Sequence, residues 1–147
     1  MVVLAWHEVS FAGVVLAGLV AGYVMAIAGL WAGQVPGLVA IDISDYGRRY
    51  MVSDRTSAWL LGFASHLTNS ILLVLLWACL IEPNLDWPRP LEGLLWGEVL
   101  AVTLAGAFVA PLSGLGFFGR KTGSPRYALT IVVLHAIWGL LVGIVYS

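Results

Sequence analysis

Residues 9–32 read VSFAGVVLAGLVAGYVMAIAGLWA and contain no Asp, Glu, Lys or Arg. A bilayer core is about 30 Å thick and takes roughly 20 helical residues to cross. Apolar chain in lipid must satisfy its peptide groups internally, which makes such a run a helix. Three further segments have the same character, at about 58–80, 91–115 and 127–146. The expected fold is therefore an all-α membrane protein, a four-transmembrane-helix bundle in a single domain. Trp6, Trp31, Trp59 and Trp77 fall near the segment ends, where amphipathic rings favour the headgroup layer. Pro111, late in the third segment, is expected to kink or loosen that helix end.

Composition supports this reading. Hydrophobic residues make up 61% of the 147 positions and charged residues 10%, far from the balance of a soluble domain. A net charge of −1 argues against nucleic acid as a partner, because a phosphate backbone attracts clustered Lys and Arg. Cys79 is the only cysteine, so no intrachain disulfide and no thiolate metal site is expected. The first six residues hold no Lys or Arg and no cleavable pattern follows, so the first segment is expected to stay in the membrane.

Loop charge sets the expected orientation. Arg48, Arg49 and Arg55 lie in the first connection and Arg120, Lys121 and Arg126 in the third, whereas the second holds only Arg89. The positive-inside rule then puts the first and third connections in the cytoplasm and both termini outside, for a multi-pass protein of the bacterial cytoplasmic membrane. Within the 37–56 loop, Val39, Ile43, Tyr46 and Tyr50 recur at helical spacing. That pattern suggests a short amphipathic helix on the membrane surface, against the alternative of an irregular polar loop, and Gly47 counts against the helix.

The chain reads as two tandem two-helix repeats. Residues 18–26 (GLVAGYVMA) match residues 93–101 (GLLWGEVLA) at five of nine positions, and His66 aligns with His135 further on. Halves of like topology are related by an axis along the membrane normal. Small residues recur every four positions at Gly18, Gly22 and Ala26, at Gly93, Gly97, Ala101 and Ala105, and at Gly139 and Gly143. Such stripes let helices approach closely in lipid, whether within the bundle or against a partner. Taken with Pro36-x5-Asp42-Ile43, Pro111-x2-Gly114-x-Gly116 and His135-x3-Gly139-x3-Gly143, the pattern resembles a family of small uncharacterised bacterial four-helix integral membrane proteins. The resemblance implies the four-helix fold and supplies no activity.

His66 and His135 are the first candidate site. Histidines on two helices facing one axis can ligate a b-type haem; Gly62 and Gly139 would leave room for the ring, and Arg55 and Arg126 could meet its propionates. The bland alternative is interhelical hydrogen bonding, which Ser65 and Asn69 invite. Glu98 is the one acidic residue expected deep in a span, a proton or ion site or a protonated interhelical bond, with Tyr23 as its expected neighbour. Gly114-Leu115-Gly116-Phe117-Phe118-Gly119 fits G-x-G-x-x-G but lacks the strand and helix of a dinucleotide unit. No catalytic set or metal cluster can be assembled. Three readings follow: a non-catalytic accessory subunit of a larger, plausibly electron-transferring membrane complex; a haem b electron-transfer protein; and a small transporter with Glu98 in its path. The expected partners are lipids and other integral membrane subunits.

Overall fold

The computed structural model describes all 147 residues, and every regular element is helical. Helix α1 (Phe11–Trp31) starts at Ser10, whose hydroxyl accepts the Gly13 N–H at 3.2 Å, a side-chain cap on one of the free N–H groups of the first turn. A short helix α2 (Asp45–Met51) precedes the long α3 (Thr56–Leu80). The third long helix begins as α4 (Arg89–Leu100), widens into a π-helical stretch over Ala101–Val109, and closes with one turn, α5 (Ala110–Leu112). The last helix is α6 (Arg126–Val145). All four long helices are long and apolar enough to cross a membrane.

The helix end expected to kink or loosen at Pro111 loosens into the π stretch ahead of it. The Ala110 N–H reaches back five residues to the Ala105 carbonyl. Proline has no N–H to give and its ring crowds the carbonyl four residues earlier, and the wider register accommodates that misfit.

Glycines set the packing. Helix α1 lies against α3 and α6, α4 lies against α6, and α2 lies against α3. A Cβ on Gly18 would sit 2.6 Å from the Ile71 Cα, and one on Gly22 would sit 2.9 Å from the Ser70 hydroxyl. On the other side, a Cβ on Gly139 would run into the Gly93 carbonyl, and one on Gly143 into the Arg89 carbonyl. The small-residue stripes are therefore consumed inside the bundle. Between α3 and α4 no such seam forms; they are bridged by the Trp96 indole, which donates to the Leu73 carbonyl at 3.1 Å.

The two ends of the bundle differ. At one end the 35–55 loop meets the start of α6, where the Tyr46 and Tyr127 hydroxyls lie 2.7 Å apart and the Val39 N–H donates to Thr130 at 3.0 Å. Burial, reinforced by the neighbouring Tyr127 phenol, pushes Tyr46 well above the usual tyrosine pKa and keeps it neutral. At the opposite end Asn84 exchanges hydrogen bonds with the Val2 backbone, at 2.7 and 2.6 Å. Six of the seven basic residues fall at the first end.

The short helix expected within the 37–56 loop forms as α2. Only Asp45–Met51 is helical, and it packs on α3 of its own chain. Gly47 is what permits this, since a Cβ there would collide with the Ala58 carbonyl and the Gly62 backbone. Ile41 and Ile43, ahead of the helix, are buried.

The outside of the bundle is largely apolar. Within the most apolar window of each long helix only 28–44% of residues are buried, so most of the apolar surface points outward. Leu16, Leu60, Leu72, Leu95, Phe108 and Ile144 are exposed, while Ala17, Ala21, Ser70, Ala101 and Thr130 fill the interior. Bulky aliphatics on the outside suit a hydrocarbon solvent.

Substituting Gly139→Ala should force α4 and α6 apart at backbone contact and cost about 1–3 kcal/mol. Equilibrium unfolding in mixed micelles measures this, with the exposed Leu129→Ala as a control expected within about 0.5 kcal/mol of the parent.

Candidate functional site

The missing seam between α3 and the third long helix leaves a cavity of about 280 Å³. One wall is α3, through Leu61, Gly62, Ser65, His66, Asn69, Ser70 and Leu73. The facing wall is the third helix, chiefly its π stretch, through Leu100, Leu104, Ala105 and Val109. Ile131, Leu134, His135 and Trp138 of α6, with Met25 of α1, close the back, and α2 with Ile41 and Ile43 covers the basic end. On the flank, Leu61, Ser65 and Asn69 are exposed, so the mouth lies between α3 and the π stretch.

Both candidate histidines reach this cavity. The His66 Nε2 lies 2.9 Å from the Gly22 carbonyl of α1, and the His135 Nδ1 lies 2.8 Å from the Ile131 carbonyl one turn back. A carbonyl oxygen can only accept, so each bonded nitrogen carries its proton. The other nitrogens, Nδ1 of His66 and Nε2 of His135, have no partner in the protein and are not sealed in packed atoms. Beside them the Ser65 hydroxyl and the Asn69 amide line the cavity without a protein partner.

Ser70 closes the back of the site. Its hydroxyl donates to the Gly18 carbonyl at 2.7 Å and accepts the Trp138 indole N–H at 2.7 Å, joining α1, α3 and α6 through one buried oxygen. Trp138 thereby has its ring fixed against the cavity.

A haem does not fit this site. The cavity lies just below the roughly 300 Å³ at which small-molecule pockets usually begin, and a tetrapyrrole is among the largest cofactors. The glycines expected to make room are already filled: Gly62 by the Ser44 carbonyl and Gly47, Gly139 by Gly93 and Leu94 of α4.

Glu98 lies away from this cavity. It is half-buried and makes no hydrogen bond or ion pair in the chain. Tyr23, its expected neighbour, is 54% exposed and instead packs edge-on against Phe63, ring centroids 6.4 Å apart. The deeply buried acid is Glu92, at 1% exposure in the first turn of α4. Its Oε1 accepts the Trp87 N–H at 3.2 Å while Oε2 has no partner. Pro88 occupies the cap and has no N–H, so the carboxylate reaches one residue further back than in a capping box. The Pro88-Arg89-Pro90 start was the sequence signal for that role.

No family profile, curated protein or solved structure matches the chain. Its function has to be read from its own chemistry. Sequence reasoning found the histidines, the polar pair Ser65 and Asn69 and the helical spacing of the covering loop; it missed Trp138, Ser70 and the π stretch, none of which has a periodic signature.

Replacing Ser70 by Ala leaves the Trp138 N–H and the Gly18 carbonyl short of a partner at once. Loss of about 1–3 kcal/mol is expected, read by thermal unfolding in micelles, with a shifted Trp fluorescence maximum as the indole loses its bond.

Proposed function

We propose that this chain is a multi-pass protein of the bacterial cytoplasmic membrane, basic end inward, that holds a small apolar molecule between α3 and the π stretch. The observation that carries the reading is the cavity, apolar over most of its wall with a few convergent polar groups. That combination is the usual chemistry of a binding site. Its mouth faces the flank of the bundle, and an apolar molecule dissolved in lipid would enter there. A π segment forms the gate-side wall, and such segments concentrate at functional sites. A tandem origin is supported by one shared pairing: Gly22 meets the His66 ring in one half, and Gly97 packs on the His135 carbonyl in the other.

Photo-crosslinking with an apolar diazirine in lipid nanodiscs tests the site. Adducts are expected on Leu104, His135 and Trp138, and Ala105→Phe, which fills the cavity, should reduce them about tenfold without unfolding the bundle. Adducts confined to outward residues such as Leu60 and Leu72, unchanged by Ala105→Phe, would refute it.

Glu98 favours a second role, that of a non-catalytic accessory subunit of a membrane complex. A carboxylate among the exposed Leu95, Val99 and Val102 is costly in hydrocarbon unless a neighbour supplies a donor, and no residue of this chain does. A basic or hydroxylated side chain on another transmembrane helix is the fitting partner. A photo-crosslinker at Val102 should then give one discrete adduct in native membranes that Glu98→Leu abolishes while leaving monomer stability unchanged. A stability loss in Glu98→Leu would instead mean that the carboxylate serves its own fold.

A further inference from the structure

The cavity is more selective than its apolar lining suggests. Each imidazole spends its N–H on a backbone carbonyl, so in the neutral ring each presents a lone pair from its second nitrogen. The Gly22 and Ile131 carbonyls thereby fix which nitrogen is free, and the cavity acquires two acceptors, one from α3 and one from α6. Unpaired acceptors in an apolar site are expensive unless a ligand or water meets them, so an occupant with O–H donors has an advantage over a plain hydrocarbon. Ser65 and Asn69 at the mouth add groups able to bond the occupant's far side.

Size and shape narrow the class further. About 280 Å³ holds one substituted ring and little more, near the lower bound for small-molecule pockets. Trp138 at the back offers a fixed aromatic face, and Tyr46 lies at the covered end. A tail leaving by the flank would lie against the outward aliphatics of α3. We infer that the cavity binds a hydroxylated aromatic ring, its O–H groups donated to His66 Nδ1 and His135 Nε2 and any hydrocarbon tail trailing into the lipid. This inference rests on the binding reading above and names the ligand class that the histidines select.

The test compares tetramethylhydroquinone with its dimethyl ether, by equilibrium dialysis against the protein in nanodiscs and corrected for empty discs. The two share ring and bulk and differ in O–H donors. The hydroquinone should bind at least about tenfold more tightly, as expected for lost hydrogen bonds to buried acceptors. His135→Leu and His66→Leu should each weaken the hydroquinone by roughly fivefold or more and leave the ether within about twofold. Equal binding of the two probes to the wild-type chain would overturn the donor requirement while leaving the cavity a binding site. Binding of neither would overturn both readings, and a fatty alcohol that bound as tightly as the hydroquinone would overturn the aromatic assignment. A tailed hydroquinone that gains affinity beyond its partition into discs assigns the ligand to the lipid phase; equal affinity assigns it to free phenols, and both results support the hydroxyl requirement.

Discussion

The hydrogen bonds of Ser70 decide how the rest of the bundle is arranged. Its hydroxyl donates to the Gly18 carbonyl and accepts from the Trp138 indole, so α3 is fastened to α1 and α6 at mid-height. In lipid, apolar contact gives little preference for one helix neighbour over another. A polar atom satisfied from two other helices does. It needs Gly18 and Gly22 on α1 to let α3 approach, and it fixes Trp138 on α6. With α6 committed to α1 on one side and to α4 through Gly93, Gly97, Gly139 and Gly143 on the other, no close seam is left between α3 and the third helix. The cavity is the consequence of that arrangement.

The π stretch belongs to the same constraint. Nine residues in the wider register give up ordinary helix geometry along the wall that faces the gap. Gly106 within it is covered by the ring of Phe118, a residue at a positive φ of 50° that lies between Phe117 and Gly119. A non-glycine residue in that region is strained, and it is tolerated where the surroundings hold it in place. The glycines at 114–119 thus turn the chain and bring an aromatic ring back onto the third helix.

How much of this was legible in the sequence follows the physics of each feature. Long uncharged runs declare themselves, because length and polarity alone make a helix, and the four long helices were readable for that reason. His66 and His135 were readable as a pair because a polar ring in an apolar run stands out. The partners of the histidines were not, since both are backbone carbonyls and carry no residue signature. Gly47 shows the opposite failure. It counts against a helix by propensity, yet the helix forms because that glycine lets α2 lie on Gly62. Glu92 was hidden behind its position next to a charged turn, because its burial depends on how α6 packs on α4. The Glu98–Tyr23 pairing failed because it rested on an alignment of halves, whereas α1 turns Tyr23 toward Phe63 of α3.

Ser65 and Asn69 join architecture to chemistry. Both are exposed at the rim of the cavity, about three turns into α3 from the basic end, and neither bonds within the chain. At membrane depth an unpaired amide or hydroxyl costs on the order of 2–7 kcal/mol depending on its surroundings, comparable to the whole stability of many domains. A sequence shaped only for packing would place Leu or Ala there, as it does at Leu61 one turn before Ser65. Four groups with unused hydrogen-bonding capacity, Ser65, Asn69 and the open nitrogens of His66 and His135, converge on one small cavity, whereas the other unpartnered buried atoms, on Arg48, Trp77 and Glu92, are scattered. Their convergence is explained when something that is not part of the chain, water or a ligand, completes the bonds. A dry, empty cavity would leave the two histidine nitrogens unpaired, and that cost is what the proposed occupant would remove.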